Sequence, residues 1–595
     1  MEKEIRLMLG NEAVARGAYE AGVSVVASYP GTPSTEITEF ISQYDAAEVY
    51  CEWAPNEKVA AEVAIGAGVA GARAMCCMKH VGLNVAADPL YTCSYTGVNG
   101  GIVFVVADDP GMFSSQNEQD SRFHAMSAHV PVLEPSDSGE CLEFTKLAFT
   151  ISESFDTPVI LRLTTRVAHQ RSLVSIGERT ETAKPYSKNI MKFCMMPAMA
   201  RGRHVYVDER QKKLAEASSD VGAGMIPNTV SFAEDCSGKP GIITSGISYQ
   251  YVMDVFKDVS VLKLAMTYPL PEGLIKDFAS KVSEVIVVEE LEPFIENYVK
   301  SIGIECKGKE YFTNQGELGT FALRKSYFGE EASAGAPGEK IDIPGRPPVF
   351  CPGCPHRAVF FTLSRLGLRV CGDIGCYSMG AQAPYNGLDS VVCMGASVSM
   401  AHGMTWAMRV NDRIDKQKTV AVIGDSTFMH TGLNSLVDVA YNKGISTTII
   451  LDNSITGMTG HQPNPAMGYT IRNEKTVATD LVLLAKAMGI DDVTVVDPFD
   501  MKAFGKAVLA ATERKCPSVI IAQRPCALLK TVKFPGPASI DASKCVKCGA
   551  CLKLGCPALS RSADGSVILD GTQCVGCGNC FELCPKGAIG RGRQL

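Results

Sequence analysis

Residues 419–462, TVAVIGDSTFMHTGLNSLVDVAYNKGISTTIILDNSITGMTGHQ, decide how this chain folds. The apolar, β-branched run 419–423 reads as a strand and leads into Gly424-Asp425-Ser426. A helical pattern follows from about 431 to 442, and a second apolar run ends at Asp452-Asn453. Strand, helix and strand of these lengths make a βαβ unit, the building block of a parallel sheet. Such a unit brings both strand ends to one edge, where doubly wound α/β sheets bind their ligands. The expected fold class is therefore α/β and doubly wound.

The same alternation recurs on both sides. Apolar runs at 23–27, 102–107 and 159–163, with an alanine-rich helical stretch at 57–72, mark a first α/β domain over 1–182. The charged, irregular text of 183–236, with MKFCMMPAMARGRH inside it, reads as a linker region carrying its own helix. Strands at 241–244 and 285–289 flank a helical segment and outline a small α/β domain over 237–330. The stretch ASAGAPGEKIDIPGRPPV, 332–349, lacks periodicity and reads as a second linker. A third α/β domain spans 345–530, and after the turn-rich PGPASIDAS a cysteine-rich module occupies 536–595.

A chain of 595 residues exceeds what one core can organise; at ~150 residues per domain it predicts roughly four. The net charge of -7 is mild and the basic residues are scattered, which argues against a nucleic-acid surface or a polybasic membrane patch. Small acidic metabolites still fit, because a pocket can be basic in an acidic protein. The start, MEKEIRLMLGNEAVARGAYEAG, has no continuous apolar core and is not a signal peptide. No run approaches the ~18 apolar residues of a membrane span. A soluble, cytoplasmic protein is expected. Its 23 cysteines, without an export signal, imply reducing surroundings, an anaerobic or microaerobic host, and thiols used as metal ligands or buried hydrophobes.

Eight of those cysteines form two runs: Cys545, Cys548, Cys551, Cys556-Pro557, then Cys574, Cys577, Cys580, Cys584-Pro585. The second run has the Cys-x2-Cys-x2-Cys-x3-Cys-Pro spacing of bacterial ferredoxins, in which three thiolates hold one four-iron cluster and the fourth reaches across to its neighbour. By that crossed pattern Cys545, Cys548, Cys551 and Cys584 hold one cluster, and Cys574, Cys577, Cys580 and Cys556 the other. The first run departs in one respect, since four residues, 552–555, separate Cys551 from Cys556. A pair of zinc sites or a disulfide knot are the alternatives, but zinc usually joins one Cys-x2-Cys pair to a distant second pair. Triplets followed by Cys-Pro fit two 4Fe-4S clusters better, and the chain is expected to move single electrons.

In the βαβ unit, the side chains of Asp425 and Asn453 and a backbone carbonyl near Ile455 can supply the partial octahedron that Mg2+ takes beside a diphosphate. With Gly424 and Ser426, this resembles the thiamine diphosphate motif of Gly-Asp-Gly followed nearly thirty residues later by Asn. Ser426 stands for the final Gly and Asp452 for the first Asn. An ordinary strand-turn-helix with a capping Asp is the other reading. Thiamine diphosphate also needs a carboxylate to protonate its aminopyrimidine ring, a general acid/base task suited to a partly buried Glu. Glu57, in EWAPNEKVAAEVAIGAGVAGARAM, begins an alanine-rich helix that another surface can approach closely. Glu62 competes for the role, and Glu57 can also be read as a first-turn acid facing a helix dipole.

The ordered set SYPGTPSTEI, NEKVAAEVAIGAG, KHVGLN, CPGCPHR, GDIGCYSMG, GASVSMAHG, GDSTFMHTG, LDNSITGMTGHQPNP and the terminal double cluster resembles the alpha subunits of the indolepyruvate ferredoxin oxidoreductases, within the 2-oxoacid:ferredoxin oxidoreductase superfamily. The resemblance covers essentially the whole chain. It implies a pyrimidine-binding-type domain (1–182), a transketolase-C-like domain (237–330), a diphosphate-binding-type domain (345–530) and a ferredoxin-like domain (536–595). It implies Glu57 as the cofactor-activating acid and Thr32 as the hydroxyl that meets the substrate carboxylate, with Asp425 and Asn453 on the metal. His80 becomes a candidate to face the reacting carbon, with simple packing as its other reading; Lys79 becomes a candidate to offset substrate charge.

The activity implied is oxidative decarboxylation of arylpyruvates such as indolepyruvate, with coenzyme A collecting the acyl group and ferredoxin taking the electrons. The superfamily's gamma domain is not recognisable in the sequence, so a smaller beta subunit is expected to supply it in a hetero-oligomer. Cys351, Cys354 and His356 in CPGCPH are followed by Cys371 and Cys376, and some superfamily members hold a further cluster with cysteines near the positions of Cys351, Cys354 and Cys376. No fourth ligand is evident, which favours cysteines that line the cofactor pocket over a third cluster or zinc. Two rival functions are a non-redox thiamine-dependent decarboxylase and an electron-transfer scaffold subunit without chemistry of its own.

Overall fold

The computed structural model describes residues 4–221, 224–236, 238–329, 345, 347–411 and 417–591. The chain divides into two units, Met1–Ile341 and Asp342–Leu595. The stretch 332–349, expected as a linker, falls mostly outside the described residues.

The main sheet of the first unit has seven strands in the order Met266–Tyr268, Val132–Leu133, Val159–Thr164, Ile102–Asp108, Ala74–Lys79, Val25–Ser28 and Tyr50–Trp53. All neighbours run parallel except the antiparallel edge strand Met266–Tyr268. Every residue of Ala74–Lys79, Ile102–Asp108 and Val159–Thr164 is buried, as a parallel sheet covered on both faces requires. Helix Glu57–Ala70 lies close on this sheet because its residues are small: a Cβ on Gly68 would come within 2.4 Å of Ile102. Burial pushes the Cys77 and Cys93 thiols up to about 12, so these cysteines act as small hydrophobes.

The stretch 183–236 is more than a linker. It contains the 21-residue helix Pro197–Ala217, whose Arg210 is buried and donates to the Ser94 and Asp156 carbonyls at 3.0 and 2.8 Å. It then adds strand Thr229–Ser231 to a second, five-stranded sheet ordered Cys306–Lys307, Val285–Val288, Gly241–Ser245, Ser260–Leu264, Thr229–Ser231. The buried face of the helix is only Val207, Arg210 and Leu214, too thin a stripe to stand out in charged text. The small domain is likewise not self-contained, because Met266–Tyr268 leaves it to pair with Val132–Leu133.

A buried ionic network joins the two sheets of this unit. Arg122 donates to Asp120 at 2.5 Å and to Glu289 at 2.7 Å, while Arg162 donates to Asp108 at 2.7 Å and pairs with Glu134 at 3.1 Å. Removing one cation would leave carboxylates unpaired in a low-dielectric interior, at a cost of ~3–5 kcal/mol. Arg122→Met is therefore expected to lower the melting midpoint of this unit by several degrees in calorimetry. An unchanged midpoint would show the network to be dispensable.

The second unit is built on a fully parallel sheet ordered Arg369–Cys371, Thr419–Gly424, Thr447–Asp452, Ser518–Gln523, Asp492–Val496. The βαβ unit is present, with a π-helical turn, Phe428–Gly432, ahead of helix Leu433–Tyr441. The cysteine-rich module adds two antiparallel pairs, Ala538–Ile540 with Ile589–Arg591 and Leu559–Arg561 with Val567–Leu569. It has no core of its own: Leu554, Val567 and Ile589 belong to the cluster that contains Phe350, Phe360, Val422 and Phe504. Among the described residues no helix is long and apolar enough to cross a membrane.

Candidate functional site

In the first unit, the carboxyl ends of four adjacent parallel strands carry the polar groups that the sequence singled out. Thr32 follows Val25–Ser28 in a turn closed by the Ser34 amide and hydroxyl, both 2.8 Å from the Gly31 carbonyl. That turn rests on Lys79, whose Cγ lies 3.2 Å from where a Gly31 Cβ would be. Glu57 opens its helix behind the Asn56 cap, which accepts the Val59 amide at 2.9 Å. Only 4% of Glu57 is exposed, and a Cβ on Gly82 would come within 2.6 Å of its carboxylate oxygen. Glu62, by contrast, is exposed and pairs with Lys58, so Glu57 is the buried acid of this helix.

Lys79 donates to the Ser114 carbonyl at 2.7 Å, and burial pulls its pKa down to about 8 against the opposing charges of Asp109 and Glu57. His80 is completely buried; its Nε2 lies 3.2 Å from the Asn117 carbonyl, and its Nδ1 has no partner. Burial also lowers the His80 pKa, which favours the neutral imidazole.

In the second unit, Asp425 and Asn453 end the neighbouring strands Thr419–Gly424 and Thr447–Asp452. Burial, reinforced by Asp452, pushes the Asp425 carboxyl up to about 7, and the Asn464 side chain donates to it at 3.2 Å. A divalent cation would relieve such a buried carboxylate. Asn453 accepts the Ile455 amide at 3.2 Å across Ser454, whose φ is 57°, and its Nδ2 lies 3.4 Å from His356 Nε2. Ser426 accepts from Thr456 at 2.9 Å. Gly424 has no room for a side chain, since a Cβ would come within 2.7 Å of the Tyr377 ring. Asp425, Ser426, Asn453 and Ile455 are thus brought to one sheet edge, a donor set that fits Mg2+ and a diphosphate. Burial lowers the neighbouring His356 to about 4 and keeps it neutral.

The same edge holds a group that sequence reasoning left incomplete. Cys351, Cys354 and Cys376 lie within electrostatic reach of one another, and Cys526 lies within reach of Cys351 and Cys376. Cys526 is a lone cysteine in sequence. Only the fold reveals it, three residues beyond Ser518–Gln523, its amide donating to the Asn453 carbonyl at 2.8 Å. Cys371 is not part of the group; it is buried in its strand, 3.5 Å from the Met404 sulfur.

In the terminal module the eight cysteines line two cavities. One, of about 340 Å³ including its open mouth, is walled by Cys545, Cys548, Cys551 and Cys584. The other, of about 400 Å³, is walled by Cys556, Cys574, Cys577 and Cys580. Each cavity therefore takes three cysteines from one run and the fourth from the other. Backbone amides also point at sulfur, Ala588 to Cys584 at 3.1 Å and Ala538 to Cys574 at 3.4 Å, as thiolates require. Among the described residues no three His, Cys, Asp or Glu side chains converge closely enough for a single metal ion. Rings of thiols around a cavity suit a cubane cluster better than zinc.

Three family models match the chain: "Pyruvate flavodoxin/ferredoxin oxidoreductase, thiamine diP-bdg" over residues 16–218, "Thiamine pyrophosphate enzyme, C-terminal TPP binding domain" over 373–522, and "4Fe-4S binding domain" over 567–590. Together with the α/β sheets and the cysteine module, they define a catalytic subunit of the thiamine-diphosphate-dependent 2-oxoacid:ferredoxin oxidoreductases, with iron-sulfur electron transfer. Among the relatives, the indolepyruvate oxidoreductase subunit IorA of Archaeoglobus fulgidus is 38% identical over 94% of this chain and 93% of its own length. The IorA of Thermococcus kodakarensis is 41% identical over 93% of this chain and 92% of its own. That of Methanothermobacter thermautotrophicus is 38% identical over 98% and 96%. The chain belongs to the indolepyruvate oxidoreductase subunit IorA family.

Proposed function

We propose that the chain oxidatively decarboxylates arylpyruvates, indolepyruvate among them, to aryl-acetyl-CoA and CO2, sending the electrons through the two 4Fe-4S clusters of its terminal module to ferredoxin. The observation that carries the electron-transfer part is the pair of cavities, each walled by four cysteines in the crossed arrangement. The substrate rests on the names of the relatives. Coenzyme A is the acyl acceptor, and a smaller beta subunit completes a cytoplasmic hetero-oligomer.

Thiamine diphosphate, when bound, supplies the carbanion that adds to the ketone and holds the electrons released as CO2 leaves. Asp425, Asn453 and the Ile455 carbonyl would hold Mg2+ and Gly424 and Ser426 would line the diphosphate site. Glu57 holds the proton that the aminopyrimidine ring exchanges. Thr32 meets the substrate carboxylate, Lys79 offsets its charge, and neutral His80 shapes the pocket beside them. The placement of Cys526 within electrostatic reach of Cys351 and Cys376 favours a third cluster there over a purely pocket-lining role.

Anaerobically purified chain is expected to carry thiamine diphosphate, Mg2+, and iron and acid-labile sulfide equal to three clusters. Iron equal to two would return the Cys351 group to pocket lining. Absence of thiamine diphosphate would favour the electron-transfer scaffold. Lys79 also sets a pH dependence: its ammonium is held below about pH 8 and lost above it. The KM for the 2-oxo acid is expected to rise above pH 8 in the wild type, and in Lys79→Met to be high and flat from pH 6 to 9. A wild-type KM that does not change across pH 8 would remove Lys79 from substrate binding.

A further inference from the structure

Within the second unit, the Cys351 turn and the terminal module meet at one side chain. Arg357 lies on helix Pro355–Leu363 and is 1% exposed. Its Nη1 donates to the Gly555 carbonyl and, at 3.1 Å, to the Tyr385 hydroxyl; its Nη2 donates to the Phe350 carbonyl and, at 3.1 Å, to that of Cys351. All four acceptors are uncharged, the Nε–H has no acceptor, and among the described residues no carboxylate forms an ion pair with this guanidinium. A fully buried cation in such company is costly unless an anion faces it.

What faces Arg357 is the cavity of Cys556, Cys574, Cys577 and Cys580, whose wall it forms with Pro352 and Gly353 of the Cys351 turn. The turn sits tightly there, a Cβ on Gly353 coming within 2.9 Å of Val575, the residue after Cys574. The other cavity has no buried cation in its wall; its one basic residue, Lys586, is exposed and screened by solvent.

We propose that Arg357 is the countercharge of the cluster held by Cys556, Cys574, Cys577 and Cys580. The inference rests on the two-cluster reading above. Each electron released by substrate oxidation adds one negative charge to the four-thiolate site and later leaves with the external ferredoxin. A fixed positive charge in a low-dielectric wall favours the reduced, more negative state.

The test is a potentiometric titration of the full chain followed by electron paramagnetic resonance, with iron content measured in parallel. At the potential where the wild-type cluster of Cys556 is half reduced, Arg357→Met is expected to lower its reduced-to-oxidised ratio about tenfold, equivalent to ~59 mV for a one-electron couple. The cluster of Cys545 should titrate unchanged in the same sample. Arg357→Lys should keep most of the wild-type ratio, and Tyr385→Phe, which removes a hydrogen bond and no charge, should keep all of it. An unshifted ratio in Arg357→Met, or an equal shift in Tyr385→Phe, would overturn the proposal. Should the methionine variant lose iron, Arg357→Gln decides by the same criterion. Wild-type chain whose module yields one cluster signal would overturn the two-cluster reading and the proposal together.

Discussion

Glu57→Gln is expected to keep its fold and its thiamine diphosphate and to lose about 10³-fold in kcat, within the ~10²–10⁴ that a positioned acid/base group contributes. Glutamine preserves the volume that packs against Gly82, where no Cβ fits, so the helix start should not shift. What it removes is the exchangeable proton. The Glu62→Gln control sits on the exposed side of the same helix, paired with Lys58, and should stay within twofold of wild type, because solvent-exposed ion pairs contribute little. Cofactor content measured beside kcat separates a lost proton from a lost ligand. Activity of Glu57→Gln within tenfold of wild type would remove this carboxylate from the mechanism and favour the scaffold reading.

The second large effect follows from the crossing of the cysteine runs. Cys556 lies in the first run but lines the cavity of Cys574, Cys577 and Cys580, whereas Cys584 lies in the second run and lines that of Cys545, Cys548 and Cys551. Cys556→Ser is therefore expected to lose one cluster's iron, to abolish the signal that depends on Cys574, and to spare the one that depends on Cys545. Cys584→Ser should do the reverse. Either loss interrupts a chain of one-electron carriers, so ferredoxin reduction should fall at least 10²-fold while substrate and cofactor still bind. If Cys556→Ser instead removed the signal that depends on Cys545 and Cys548, the runs would be uncrossed and the cavity assignment wrong.

Much of this was legible from residue order, for a physical reason. Residues 419–453 combine two β-branched runs with an amphipathic helix, and local pattern suffices to place Asp425 and Asn453 at one sheet edge. The cysteine spacing is equally local. What escaped was non-local. The helix Pro197–Ala217 buries three residues beneath charged text, so the segment resembled a connector. Strand Met266–Tyr268 has only three residues, and nothing in them shows that their partner is Val132–Leu133 rather than the adjacent small sheet. Cys526 carries no motif; its proximity to Cys351 and Cys376 depends on strand order in the finished sheet. Glu57 and Glu62 are both plausible acids on the page of sequence. The difference is the face of the helix, which only packing against Gly82 and the sheet decides.

The account meets its most direct test in anaerobic reduction of ferredoxin, or of a viologen dye, by the chain assembled with the smaller subunit proposed for it and supplied with coenzyme A. The prediction is reduction with indolepyruvate, accompanied by CO2 and an aryl-acetyl thioester, and little or none with pyruvate. Release of CO2 from indolepyruvate without reduction of the dye would contradict the account and make the chain a non-redox decarboxylase.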